Sequence, residues 1–471
     1  MTTTITPQKR LPAPPEQRRS RTSLRPVIAR LHFYAGIIAA PLIFVAALTG
    51  LGYAAAPQLE KVVYHDLLFN STSGAELPAS QLYTTAQEAA ADRPLKAMIL
   101  PKGEHDNARF QFHDPAYSDG TNFTVYVDPH TGDVAGTSTS YGGSNALPLR
   151  RWLSLGHANL WLGDAGRYYS ELAAAWMGFL AVGGGYLWFT AQPKRLRGAR
   201  ARVRSMFVFP SRPGSGGGGS GRARGLRWHS AFGTWALAGM LFLTVTGLTW
   251  SQVAGENISQ VRQALSWSTP RPDTALADGA ALQEVSAGTI DTAARLAREN
   301  LQLPVTVAAP RREGASWTAV ETRVPYRVEY NTISFDAVSG TVTSSLRFAD
   351  YPLAAKLTAW LIELHMGMLF GLPNQLALAA LALAIIAVVV KGYQLWWRRG
   401  PGPAPAARGW KAALSTPAGA VFMVVVLGYS ILAPLFGASL VAIVAGDWVL
   451  SRALRRRRPA APAPAGAGSE Q

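Results

Sequence analysis

Four stretches of this chain carry no charged side chain for longer than a membrane is thick: 31–56, 172–193, 228–255 and 364–390. At ~1.5 Å per residue, each spans a hydrocarbon core of ~30 Å as a helix. Backbone in hydrocarbon must pair its own N–H and C=O groups, and a helix does so within one segment. The chain is therefore read as a multi-pass, mainly α membrane protein. Its charged fraction of 15% agrees, since soluble domains carry about 25%. Ala54-Ala55-Ala56 could imitate a signal-peptidase site, but the apolar run before it exceeds the ~7–15 residues of a signal core. An uncleaved helix is expected.

Net charge is +17, and more than half of the 45 Lys and Arg fall in four clusters: Lys9–Arg30, Lys194–Arg227, Lys391–Lys411 and Arg452–Arg458. Basic residues flanking spans mark the cytoplasmic side. Placement beside the spans favours this topology over nucleic-acid binding, so the expected partner is the lipid bilayer of the cell membrane and no nucleic acid. The expected layout is a basic cytoplasmic tail 1–29, a span 30–56, an outer domain 57–148, and a short outer helix with a second span 149–192. A basic, Gly-rich linker 193–226 follows, then a third span 227–254, a second outer domain 255–352, and a short outer helix with a fourth span 353–397. A cytoplasmic loop 398–417, an apolar segment 418–450 and a basic tail 451–471 complete the chain. Pro434 and Gly437 interrupt 418–450. A tight hairpin, giving six crossings, is favoured there over a single tilted fifth helix.

An internal repeat runs through these segments. Arg30-Leu-His32-x3-Gly36 recurs as Arg227-Trp-His229-x3-Gly233, and the same offset carries Thr49-Gly50-Leu51 onto Thr246-Gly247-Leu248. A second constant offset carries Asp128-x3-Gly132-x-Val134 onto Asp336-x3-Gly340-x-Val342. It also carries His157 onto His365, Gly184 onto Gly392 and Trp188 onto Trp396. The fold expected is a duplicated helix–(α+β)–helix unit with a pseudo-two-fold axis along the membrane normal, plus the C-terminal hairpin. Within the outer domains, helices are expected at 84–92 and 289–300. Strands are expected at 96–100, 109–113, 123–128, 316–322, 327–330 and 332–336.

Cysteine is absent, which removes disulfides, thiolate zinc sites, iron–sulfur clusters and thioether-linked haem. Eight His remain. His65, His105, His113 and His130 have no repeat counterparts and read as surface residues. His32, His157, His229 and His365 are repeat-matched and lie in apolar surroundings, where an ionisable group is costly and marks a functional site. His32 and His229 lie near the inner ends of their spans, His157 and His365 near the outer face. Ligands for one iron must share a depth, so the pairs are His32 with His229 and His157 with His365. Two pairs at two depths point to two b-type haems, each held by two imidazoles. Arg30 and Arg227, and Arg150 and Arg151, lie where haem propionates would want cations. The competing reading is four interhelical hydrogen-bonding histidines. Met366 and Met368 adjoin His365 but read as packing residues, and Trp161, Trp188, Trp396 and Trp397 as interface anchors.

These residues resemble a known family. Arg-x-His-x3-Gly leading to Thr-Gly-Leu, and Leu155-Gly-His157 followed by Leu162-Gly163-Asp164-x-Gly166-Arg167, are similar to the PepSY-associated transmembrane family. Val125-Tyr-Val-Asp128-Pro-x-Thr-Gly132 resembles a PepSY domain, and Pro434-Leu-Phe-Gly437-Ala-Ser439-Leu with Asp447-Trp448 resembles the PiuB-like, iron-regulated branch. The resemblance covers 25–450. It implies inner-membrane reduction of a ferric siderophore or related ferric chelate through membrane haem, with His32, His157, His229 and His365 as ligands. The second half departs from the motif at Leu372, Pro373 and Gln375. No dinucleotide fingerprint is present, so no NAD or flavin site is expected in this chain; the donor is a cytoplasmic reductase or a quinol. Two other functions remain open: a non-redox PepSY protein that binds or inhibits extracellular peptidases, and a transporter.

Overall fold

A computed structural model of the chain describes residues 23–117, 120–191, 221–276, 281–400 and 410–456. Most of both basic tails, most of the Gly-rich linker and residues 401–409 of the loop after the fourth span lie outside the described residues. The first apolar run is a bent rod made of α1 (Arg25–Ile38) and α2 (Ala40–Val63), broken at Ala39. Pro41 has no N–H to give the Ile37 carbonyl four residues back. The Tyr393 hydroxyl donates to that carbonyl instead, at 2.7 Å. A short α3 (His65–Leu68) and α4 (Ala79–Ala90) lead into β1 (Leu95–Leu100), β2 (Ala108–Phe112), β3 (Thr121–Val127) and β4 (Val134–Tyr141). Then come α5 (Pro148–Asn159) and the long α6 (Gly163–Ala191).

The remaining described chain follows a related order: α7 (Gly221–Thr249), α8 (Val253–Ala264), α9 (Ala287–Asn300), β5 (Val305–Ala308), β6 (Trp317–Glu321), β7 (Thr332–Asp336), β8 (Thr341–Leu346), α10 (Leu353–His365) and α11 (Leu372–Arg399). After α12 (Trp410–Leu414), α13 (Pro417–Leu432) and α14 (Pro434–Arg456) pack on one another across a one-residue break at Ala433. Four helices, α2, α6, α7 and α11, are long and apolar enough to cross a membrane. The protein is a membrane protein whose helical bundle carries a sheet at one end.

All eight strands join one antiparallel sheet in the order β4-β3-β2-β1-β5-β6-β7-β8. The two four-stranded runs meet at β1 and β5, where Ala97 faces Ala308 and Leu100 faces Val305. Side chains alternate across the sheet. Met98, Phe110, Phe112, Val125, Val307, Trp317 and Phe335 pack under α4 and α9. On the opposite face Tyr126 packs with Leu68 and Leu147. Near them Gln111, Ser140 and Asn145 are joined by hydrogen bonds of 2.8 and 2.9 Å.

Strand reading from the sequence needs three corrections. Residues 327–330 are not a strand: Arg327 folds back to the carbonyls of Leu303, Pro304 and Thr322, and Tyr326 has φ +66°. β4 and β8 are strands that no apolar alternation announces, because they are edge strands built from Thr, Ser and Gly. β5 is a four-residue strand, defined by its pairing with β1 on one side and β6 on the other.

The repeated Asp-x3-Gly motif has a structural cause. Asp128 Oδ1 accepts from the His130 backbone N–H at 2.8 Å, and Asp336 Oδ1 from that of Val338 at 2.8 Å. Gly132 and Gly340 close the turns at φ +79° and +71°, where a Cβ is unfavourable. The outermost ladder of each half slips once, beside Tyr126 and beside Ser334, which the same sequence offset relates.

For both aspartates burial opposes the charge. The donors outweigh it, Thr72 with the 130 and 131 amides for Asp128, and Ser339, Val338 and Gln283 for Asp336, holding each carboxyl below its usual range. A depressed folded-state value stabilises the fold above the unfolded-state value of ~4, and that stability is lost as pH falls. Asp128→Asn combined with Asp336→Asn should therefore melt below the wild type at pH 6 in detergent. The gap should close towards pH 3, and a gap of equal size at both pH values refutes the assignment.

Two paired histidines in the bundle

The four repeat-matched histidines lie at the two ends of the bundle. His32 on α1 and His229 on α7 sit in the parts of those helices remote from the sheet. They are close enough to interact electrostatically. His157 and His365 sit near the C-termini of α5 and α10, towards the sheet. Their ring centres are 6.3 Å apart with planes inclined at 46°.

Local chemistry fixes the tautomer of three of these rings. The Thr49 hydroxyl donates to the Val45 carbonyl at 2.8 Å, so its oxygen is left to accept from His157 Nδ1 at 3.2 Å. The Thr246 hydroxyl donates to the Phe242 carbonyl at 2.9 Å and accepts from His365 Nδ1 at 2.5 Å. His229 Nδ1 donates to the Val388 carbonyl at 3.0 Å. With Nδ1 protonated, Nε2 carries the lone pair. His32 differs: its Nδ1 is buried with no partner. Among the described residues, none of the four Nε2 atoms has a hydrogen-bond partner.

Glycines bring three of the rings down onto neighbouring helices. A Cβ on Gly184 would stand 3.2 Å from the His32 ring, one on Gly392 3.5 Å from His229, and one on Gly50 3.0 Å from His157. Gly247, the counterpart of Gly50, instead meets Ala174. Around the sheet-end pair, Tyr53 stacks beside His157 with ring centres 6.3 Å apart, and Trp250 lies against His365 at 5.8 Å with the planes inclined at 58°.

Buried charge holds the short helices in place. Glu60 on α2 accepts from the Leu147 backbone N–H at 2.9 Å and from Arg150 Nε at 3.0 Å, which fastens the start of α5. Glu171, 1% exposed in α6, accepts from the Val253 and Ala254 amides at 2.8 and 3.1 Å and so caps α8. On α10, Glu363 takes the Tyr330 hydroxyl at 2.8 Å and pairs with Arg323 at 2.7 Å.

The four arginines expected near the histidines are not alike. Arg150 is buried and committed to Glu60 and the Ser144 carbonyl. Arg151 lies over the Tyr141 ring. Arg30 is paired with Asp447 at 2.6 Å, while Arg227 is exposed. Met368 turns its sulfur towards Arg150 at 3.9 Å. Trp161 is exposed and donates to the Trp152 carbonyl at 2.9 Å.

The turns after the two sheet-end histidines also diverge. Gly163 and Gly371 share φ near +59° and +58°. A Cβ on Gly166 would clash with the Asn159 carbonyl at 1.7 Å, whereas the matching Asn374 donates to the Leu364 carbonyl at 2.9 Å. Gln375 pairs with Gln58 at 2.9 Å, while Arg167 reaches the Trp250 carbonyl at 3.3 Å.

Sequence reasoning matched Thr49 with Thr246 and Gly184 with Gly392 as repeated residues, yet missed that they hold the imidazoles. Their signal was the shared offset with the histidines. Glu60, Glu171 and Asp447 carried no such signal. No curated protein matches the chain. A family profile described as the PepSY-associated TM region matches residues 29–399. That span takes in the described spanning helices α2, α6, α7 and α11, all eight strands and all four paired histidines, and the chain belongs to this family.

Proposed function

We propose that this protein is a haem-containing electron carrier of the cytoplasmic membrane that reduces a ferric siderophore or related ferric chelate at the sheet end. In this reading His157 and His365 hold one b-type haem and His32 and His229 another. One observation carries the proposal: two imidazoles from different helices converge at 6.3 Å with Nδ1 bonded and Nε2 unpartnered. Two metal–nitrogen bonds of ~2 Å each place ring centres ~6 Å apart across one iron, so the residues present fit the group. The orphaned Nδ1 of His32 and the glycine faces under His32 and His229 support the second site.

When bound, haem iron supplies one-electron exchange between Fe(III) and Fe(II). The chain's own residues do the rest. Thr49, Thr246 and the Val388 carbonyl orient the imidazoles and fix the tautomer, as outer-shell partners of metal-bound His generally do. Tyr53, Phe242 and Trp250 wall the sheet-end pair with aromatic surface. Arg227 is an exposed cation two residues before His229 and is proposed for propionate contact. Basic clusters at the end remote from the sheet support a cytoplasmic placement of that end, which puts the sheet and the chelate outside. We further infer that the halves are duplicates related by a pseudo-two-fold axis along the membrane normal. The strand order, which reads the same from either edge, supports this.

Protein purified from cells supplied with haem should show a Soret band; a colourless protein refutes the reading. Alanine at His157 or His365 should remove one haem and leave the other, and alanine at His32 or His229 should do the reverse. Loss of both haems from each single variant would contradict two separate sites. Thr49→Val and Thr246→Val remove only the outer-shell acceptor. They should weaken haem retention ~10–100-fold, read by transfer of haem to apomyoglobin, with the wild-type helical circular dichroism preserved.

A further inference from the structure

One groove in the bundle serves neither histidine pair. It runs between α1, α6 and α14 and encloses about 440 Å³, within the range of small-molecule sites. Its walls are apolar, from Ile38, Leu42 and Trp176, and its end remote from the sheet is polar. There Asp447 takes Arg30 through both oxygens, at 3.0 and 2.6 Å, and accepts the Tyr34 hydroxyl on Oδ1. Oδ1 is thus saturated, while Oδ2 keeps a lone pair, as does the Tyr34 oxygen. The groove therefore joins a long apolar channel to a head that accepts O–H groups.

We propose that this groove binds a membrane hydroquinone, with its ring at Asp447 and Tyr34 and its apolar tail along α6 and α14. Charge complementarity selects this occupant over a phospholipid. An anionic head group would bring phosphate against a carboxylate whose arginine is already engaged, whereas a hydroquinone brings an O–H donor. Position agrees as well. Tyr34 and His32 are two residues apart on α1, about 200° around the helix, so the head lies one helix, ~10 Å across, from the His32 ring. This inference rests on the proposed function for its redox partner. A hydroquinone oxidised to quinone releases two electrons and two protons. The protons would leave one after the other through Asp447 Oδ2 to water, with the Tyr34 oxygen orienting the ring hydroxyl, and the electrons would pass singly to two equivalents of a one-electron acceptor, the ferric haem that His32 and His229 would hold.

Gly446 lines the groove, and a Cβ placed there meets nothing within 4 Å. Gly446→Leu therefore fills the groove without displacing backbone and raises helix propensity. The probe is decylubiquinol, titrated calorimetrically and anaerobically into the dithionite-reduced full-length protein in phosphatidylcholine nanodiscs. Gly446→Leu should weaken its binding at least tenfold, and Asp447→Asn should weaken it as well. In haem-loaded protein, decylubiquinol should reduce the wild type and fail with Gly446→Leu, while dithionite reduces both fully. Unchanged decylubiquinol binding in Gly446→Leu overturns the proposal, as does a bound phospholipid in the groove that decylubiquinol does not displace. A protein without a Soret band sinks the proposed function but leaves the binding arm to decide the groove.

Discussion

An imidazole among membrane helices has two ring nitrogens to satisfy and no bulk water to satisfy them. Leaving a polar group unpaired in an apolar setting costs about 1–3 kcal/mol on protein scales. The bundle meets that cost at one nitrogen of three rings: Nδ1 of His157 and His365 on threonines whose own protons go to helix carbonyls, and Nδ1 of His229 on a carbonyl directly. This arrangement leaves Nε2 as the basic atom in each ring. Among the described residues, the four Nε2 atoms have no hydrogen-bond partner.

Much of the remaining architecture keeps these rings in place. Threonine and glycine sit on the long helices, while His157 and His365 sit on short ones, so the short helices must be fixed independently. Glu60 fastens α5 through a backbone N–H and Arg150, and Glu363 fastens α10 through Tyr330 and Arg323. Tight turns then lead straight from each histidine into a spanning helix. The sheet adds a third restraint, because pairing of β1 with β5 ties the two strand domains into one body above the two short helices. Separation of those domains would have to break four backbone-paired positions before the sheet-end rings could part.

The sequence disclosed what membrane physics imposes and concealed what tertiary contact decides. Spans were legible because a hydrocarbon core tolerates so few compositions. The Asp-x3-Gly turns were legible because positive φ demands glycine. Edge strands β4 and β8 were hidden, since Thr- and Ser-rich strands with one exposed face lack alternation. The false strand at 327–330 looks extended, but the Arg327 side chain bonds three carbonyls and holds it as a loop. For the site, repeat arithmetic found the histidines and grouped Thr49 and Gly184 with them. It could not assign Arg30, because a side chain's partner hundreds of positions away leaves no local pattern.

Arg30 and Arg227 show how far matched residues can part. Both stand two residues before a paired histidine. Arg227 is exposed, whereas Arg30 is drawn into the bundle by Asp447 of α14. The cause is the C-terminal pair α13 and α14, which packs on α6 and α8. Trp176 donates to Ser439 at 3.0 Å and Tyr429 to the Ala175 carbonyl at 2.9 Å, and Phe436 lies buried among Trp176, Phe179 and Tyr429. Adding two helices to one flank sets a carboxylate against the Tyr34 phenol of α1 and completes an apolar channel there. The proposed electron path would enter on one flank only, and α14 supplies the asymmetry of surroundings that the repeat-matched histidines lack.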